Sequence, residues 1–168
     1  MAEFHKDMNE YKMLLQKGSI QKAYRGLMEY FGSLRLIFKD KYPEYDVSGN
    51  IYQGFMDMTY FAVFPTSLKH RKLKIAVVFL HEAFRFEVWL VGFNKSIQKK
   101  YWNLVKDEQW NTYHIPSMLK GKDSIIEYVL VENPDFSNLD SLTQKIEIGI
   151  LEFIKEVVSF LSKIKKIT

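Results

Sequence analysis

An α+β fold follows from three features of the sequence. Three consecutive strand-like runs lie between Phe55 and Val91, helical apolar spacing precedes them, and a second helical stripe fills the C-terminal part of the chain. The architecture expected is an antiparallel three-stranded meander plus one or two further strands, packed by two N-terminal helices, a middle helix and a long C-terminal helix. With 47% hydrophobic and 26% charged residues, 168 residues have the size and balance to bury a core. No internal repeat, low-complexity tract or composition shift divides the chain, so residues 1–168 are read as a single α+β domain.

Phe4, Met8, Tyr11, Leu14 and Leu15 recur at helical spacing, and Gly18 ends that run as a left-handed C-cap. Ser19 opens the next helix, whose stripe of Ile20, Ala23, Leu27, Phe31, Leu34 and Phe38 continues to Tyr42-Pro43. Tyr45 to Asn50 has turn chemistry, with Asp46 and the Gly49-Asn50 pair.

The first strand is expected over Phe55 to Phe64. Its core face is assigned to Met56, Met58, Tyr60, Ala62 and Phe64, and the opposite face to Phe55, Asp57, Thr59, Phe61 and Val63. Leu73 to Leu80 is apolar on both faces apart from Lys74, as in a central strand. After a turn over His81 to Phe84, Arg85 to Val91 alternates Phe86, Val88 and Leu90 with Arg85, Glu87, Trp89 and Val91.

A hairpin with Leu80 opposite Arg85 pairs Val78 with Glu87 and Ala76 with Trp89, because paired residue numbers sum to a constant in an antiparallel ladder. Small Ala76 then leaves room for the indole. If the first strand shares that core, Asp57 and Thr59 join Arg85, Glu87 and Trp89 on the other face, and Asp57, Arg85, Glu87 and Trp89 become the candidate ligand-binding cluster. In one reading the cluster is a set of ion pairs closed on itself. In the other, Arg85 binds an anionic group beside an apolar wall from Trp89 or Tyr60.

Further along, Ser96 to Asp107 reads as a helix with Ile97, Tyr101, Leu104 and Val105 inward. Tyr113 to Ile115 is a candidate short strand and Ser124 to Glu132 a longer one, closed by Asn133-Pro134. Ser137 and Asp140 resemble a capping box ahead of the stripe Leu142, Ile146, Ile150, Phe153, Val157, Phe160 and Ile164. That stripe supports a helix of about 25 residues, roughly 38 Å long, which can cover a sheet or reach a second subunit in a homodimer.

The net charge is +4, yet the nine Lys and Arg between Lys69 and Lys106 outweigh two acids and make that segment +7. Lys69, Arg71, Lys72, Lys99 and Lys100 are therefore candidate anion-binding residues, with nucleic acid or another anionic ligand as the partner class. The alternative for this segment is a solvated turn followed by a solvated helix face.

Zero cysteines exclude disulfides, thiolate zinc sites and cysteine nucleophiles, and fit a cytoplasmic setting. No window has the apolar length of a membrane span, and the charged start MAEFHKDMNEYK has no secretory-signal pattern. No phosphate-binding glycine loop, metal-ligand histidine spacing or nucleophile elbow occurs, so no catalytic residue, metal site or cofactor is assigned.

Two resemblances add to this reading. The order helix, three antiparallel strands, helix, strand resembles the core of restriction-endonuclease-like nucleases, which implies an acid on one strand and Glu-x-Lys on the next. Here Glu87-Val88-Trp89 carries tryptophan in the lysine position, with Glu82 or Asp57 as the acid, so the resemblance implies a degenerate site. The segments QKAYRGLMEYFGSLR, GFMDMTYFAVFP, LKIAVVFLHEAFRFEVWLVGFNK, QKKYW and VENPDF resemble an uncharacterised family of small bacterial proteins, a domain of unknown function. That resemblance covers nearly the whole chain and implies a bacterial cytoplasmic protein without assigning an activity. The function expected is a non-enzymatic ligand-binding or interaction domain; the alternative is a nuclease-like nucleic-acid-binding protein.

Overall fold

The computed structural model describes residues 2–164. It contains α1 (Ala2–Gln16), α2 (Ser19–Lys41), β1 (Tyr45–Val47), β2 (Met58–Pro65), α3 (Thr66–Lys69), β3 (Leu73–Leu80), β4 (Arg85–Gly92), α4 (Lys95–Asp107), β5 (Ile126–Glu132) and α5 (Leu139–Lys163). The five strands form one antiparallel sheet in sequence order, β1-β2-β3-β4-β5.

The β3–β4 hairpin has the expected register, with Leu80 opposite Arg85, Val78 opposite Glu87 and Ala76 opposite Trp89. One face presents Ile75, Val77 and Phe79 beside Phe86, Val88 and Leu90, all fully or almost fully buried. Those residues join Phe31, Leu34 and Phe38 of α2, Tyr101 and Val105 of α4, and Ile146, Ile150, Phe153 and Val157 of α5 in one hydrophobic cluster. Ala62, Ala76 and Val78 are also buried, but they lie on the other sheet face and outside that cluster. The sheet thus has a helix-covered face and a face made of its own side chains.

The face assigned to β2 is corrected by its pairing. Thr59 stands opposite Phe79, Phe61 opposite Val77 and Val63 opposite Ile75, so the odd set faces the helices and the even set, Met58, Tyr60, Ala62 and Phe64, faces away. Both sets are apolar enough to pass for a core face. Burying Phe61 and Val63 is worth about 1.5–3 kcal/mol per side chain, whereas turning Tyr60 inward would leave a phenol in search of a partner at about 1–3 kcal/mol. Phe31 and Phe38 of α2 close edge-on and tilted against Phe61, with ring centroids 6.1 and 6.2 Å away.

β2 also begins later than Phe55. Gly54 and Met56 hold positive φ of 70° and 62°, and the Phe55 backbone N–H donates to Asp57 Oδ1 at 2.9 Å, so Asp57 belongs to a tight turn at the strand's entrance. The Tyr45 to Asn50 segment contains the edge strand β1 as well as a turn: Tyr45 to Val47 pair with Val63 to Pro65, and Ser48 exchanges backbone and hydroxyl hydrogen bonds with Ala62. Tyr113 to Ile115 contributes an isolated bridge from His114 to Glu127 in place of a strand.

Gly18, with φ 72°, separates α1 from α2, and its N–H donates to the Leu15 carbonyl at 3.0 Å. α1 buries none of its residues. α5 does the opposite, sinking Leu142, Ile146, Ile150, Phe153, Ile154, Val157 and Leu161. Its N-cap is Asn138, whose side chain accepts the Ser141 N–H at 3.1 Å; Ser137 instead bonds to Asp135. No helix among the described residues is long and apolar enough to cross a membrane.

Gly92 ends β4 where α4 begins. A Cβ there would meet the Gln98 backbone nitrogen at 2.6 Å and the Asn94 carbonyl oxygen at 3.1 Å, so Gly92→Ala forces helix and strand apart. We expect a loss of about 1–3 kcal/mol in denaturant titrations. Gly32→Ala, at a helix position with nothing within 4 Å, should gain about 0.5–1 kcal/mol in the same assay.

Candidate functional site

On the sheet face turned away from the helices, Arg85, Glu87 and Trp89 come together as expected, and their side chains bond to one another. Glu87 is only 2% exposed. Its Oε1 accepts from Arg85 Nε at 2.7 Å and its Oε2 from the Trp89 indole N–H at 2.5 Å, while Arg85 Nη1 reaches Glu132 Oε1 at 3.1 Å. Burial works against the Arg85 charge, but Glu87 and Glu132 outweigh it and raise its pKa above the ordinary value. Asp57 is absent from this group, because its carboxylate sits in the turn before β2, where the Phe55 and Met58 N–H groups hold it below the usual carboxylate range.

The basic residues are partly engaged. Lys69 pairs with Asp46 at 2.5 Å, Arg71 Nη2 donates to the Leu161 carbonyl at 3.3 Å, and Lys100 lies 5.7 Å from the Tyr101 ring centroid. Lys72 and Lys99 are exposed. Among the described residues no group of three or more His, Asp and Glu side chains is arranged to hold a metal ion.

A concavity with a strongly apolar lining lies on the helix-covered side, at the turn end of the β3–β4 hairpin. Its volume is about 500 Å³. Ile20, Tyr24, Leu27 and Tyr30 of α2 form one wall, and Phe79, His81 and Phe84 form the facing one, with Phe136, Leu139 and Met56 at the ends. Helical spacing on α2 aims residues 20, 24 and 27 at the hairpin turn. Phe79 meets Phe84 and Phe136 edge-on at 5.5 and 6.3 Å, so the aromatic lining is packed ring against ring.

Two lining residues, Met56 (φ 62°) and Phe84 (φ 51°), hold left-handed backbone that costs of order 1–3 kcal/mol each. The sequence reading missed this site because it treated His81 to Phe84 only as a turn. The available signal was large apolar residues, Phe55, Met56, Phe84 and Phe136, at turn positions where solvation alone favours polar ones.

His81 supplies the imidazole of the pocket, beside the hydroxyls of Tyr24 and Tyr30, which bond to the Gln53 carbonyl and to Thr143. The Thr59 hydroxyl donates to the Gln53 carbonyl at 2.9 Å, and a carbonyl can only accept, so the hydroxyl's one proton is committed there. At 2.9 Å from the same oxygen, His81 Nε2 is then the donor. The neutral imidazole carries its proton on Nε2 and keeps Nδ1 as an acceptor. Tyr24 stacks on it at 6.0 Å and Phe79 meets it edge-on at 5.2 Å. Burial lowers the His81 pKa from 6.5, with Asp57 pulling weakly the other way.

A family model described as Domain of unknown function (DUF7000) matches residues 4–161, in agreement with the resemblance carried by the strand and α2 segments. No curated protein and no solved structure matches the chain.

Removing Arg85 strips the buried Glu87 carboxylate of its cation. Arg85→Ala should therefore cost about 2 kcal/mol in chemical denaturation, and Arg85→Ala with Glu87→Gln should cost less than the single change. For His81 the sign follows from its lowered pKa. The unfolded chain, with its imidazole near 6.5, binds more protons than the folded one, so stability falls as pH drops through 6.5 and levels off below the folded pKa. Thermal melts between pH 7.5 and about 5 should show that slope, and His81→Gln should flatten it, leaving only the carboxylate-driven loss at lower pH.

Proposed function

The chain belongs to the DUF7000 family, a domain of unknown function, and we propose that it is a non-enzymatic ligand-binding domain whose pocket between α2 and the β3–β4 turn holds a largely apolar small molecule. One observation carries the reading: an aromatic and aliphatic cavity of about 500 Å³ has a single imidazole in its lining, whose Nε2–H is committed to Thr59, which leaves Nδ1 as the acceptor nitrogen. Pockets of this volume with few polar groups suit small organic ligands, in which the apolar body supplies affinity and the polar contact supplies orientation. The ligand class is an aromatic or aliphatic molecule bearing one hydroxyl or N–H donor for His81.

The polar groups at the site act as positioners. Thr59 fixes the imidazole tautomer, and the lowered His81 pKa keeps the ring neutral at physiological pH, as an acceptor for a donor-bearing ligand must be. The absence of cysteine supports a reducing, cytoplasmic setting, and the family resemblance a bacterial one. The alternative, an anion- or nucleic-acid-binding surface on Lys69, Arg71, Lys72, Lys99 and Lys100, has less support. Lys69 already has a carboxylate partner, Arg71 a carbonyl, and the nuclease-like Glu87 is sealed between Arg85 and Trp89.

N-phenyl-1-naphthylamine, a neutral fluorophore with one N–H, tests the pocket directly. Its emission should rise saturably at one site per chain. Gly26→Trp should fill the cavity and weaken that response at least about tenfold, since a Cβ at Gly26 meets nothing within 4 Å and the helix stays intact. Phe84→Gly should weaken binding while changing stability by no more than about 1 kcal/mol, because relief of the positive φ offsets lost packing. A response that is not saturable, or that survives Gly26→Trp in a folded protein, would overturn the assignment.

A further inference from the structure

The face of the sheet turned away from the helices carries a second hollow, and we propose that it binds a flat aromatic carboxylate. Its floor is Ala76, 3% exposed, which lies in the ladder between Ala62 of β2 and Trp89 of β4. Tyr60 and Trp89 rise beside that floor, and Tyr52 stacks on Tyr60 with centroids 5.0 Å apart and planes inclined by 28°. Met58, Val91, Lys74 and Asp123 complete a space of about 320 Å³. The small side chain of Ala76 among larger neighbours makes this depression, and rings on both sides of it suit a planar ligand.

Three observations give the ligand's class. First, the volume lies at the small end of organic-ligand pockets, so the occupant has one or two rings. Second, the indole is fixed in advance: its N–H is held by Glu87 Oε2 at 2.5 Å, and Glu87 is held by Arg85 at 2.7 Å. Its ring therefore presents a face without paying to become ordered on binding. Glu87, with one oxygen on Arg85 and the other on the indole, thus fixes the ring that borders the hollow.

Third, Lys74 is the cation of the hollow, two residues from Ala76 on the same face, and among the described residues its ammonium has neither an ion pair nor a hydrogen bond. The other charged group at the rim, Asp123, is already paired with Lys95 at 3.0 Å. An ammonium beside apolar rings, with the carboxylate of the lining paired with Lys95, favours an anion. Burial, with help from Tyr52 and Asp123, raises the Tyr60 pKa, so its hydroxyl remains a donor that can assist.

The probe is indole-3-acetate, with indole and tryptamine as neutral and cationic controls, followed by the indole N–H resonances of the three tryptophans in two-dimensional ¹H–¹⁵N spectra. Indole-3-acetate should shift the Trp89 resonance saturably and leave those of Trp102 and Trp110 in place. Lys74→Met should weaken the binding at least about tenfold and Lys74→Arg should largely restore it, as a charge-assisted contact requires. Ala76→Leu should abolish it. An unmoved Trp89 resonance, equal binding of tryptamine, or an unchanged affinity in folded Lys74→Met would each overturn the proposal. The two hollows lie on opposite faces, so Lys74→Met should leave the naphthylamine response intact, and failure of either proposal is read separately.

Discussion

The ladder between β3 and β4 is the constraint on which the rest of the structure depends. Eight cross-strand pairs from Leu73–Gly92 to Leu80–Arg85 fix two side-chain sets at once. Phe79, Val77, Ile75, Phe86, Val88 and Leu90 must go to one face, and Lys74, Ala76, Val78, Arg85, Glu87 and Trp89 to the other, because the pleat alternates without exception along a regular strand. Every later packing decision answers to that division. α2 and α5 cover the apolar set, β2 turns Phe61 and Val63 toward it, and the bulge between Phe86 and Glu87 lets β5 bring Val131 and Ile126 to the same side.

The two hollows have different origins in the same hairpin. At the turn end, the helices diverge from the sheet and His81, Phe84 and Phe136 close the gap only partly, which leaves an apolar cavity with an imidazole in its wall. In the middle of the opposite face, Ala76 lowers the surface between larger neighbours. The Arg85–Glu87–Trp89 group separates structural work from binding work. Its charges are consumed internally, yet it immobilises the one indole that borders the second hollow.

Legibility in the sequence varied with the range of the deciding interaction. The hairpin register could be read because a short turn and two alternating runs constrain each other locally. α5 was readable for the same reason, since Leu142 to Val157 repeat at helical spacing over many turns. β1 was not: Tyr45 to Val47 is too short to carry a pattern, and it becomes a strand only through hydrogen bonds to β2. Asp57 was assigned to the Arg85 group on the assumption that β2 shows its odd residues outward. The pairing of Thr59 with Phe79 reverses that and leaves Asp57 to organise a turn.

By itself the sequence determined the types of the longer elements, the β3–β4 register, the proximity of Arg85, Glu87 and Trp89, and the exclusion of thiol chemistry. Each rests on periodicity, composition or a single tight turn. Only the tertiary structure decided which face of β2 is inward, that the imidazole of His81 meets Thr59 and Tyr24, and that Lys74 shares a hollow with Tyr60 and Trp89. The reason is that β2 is apolar on both sides. Its orientation, and with it the composition of both hollows, is set by which set of side chains gains more from α2 and β3, an energy difference spread over residues distant in the chain.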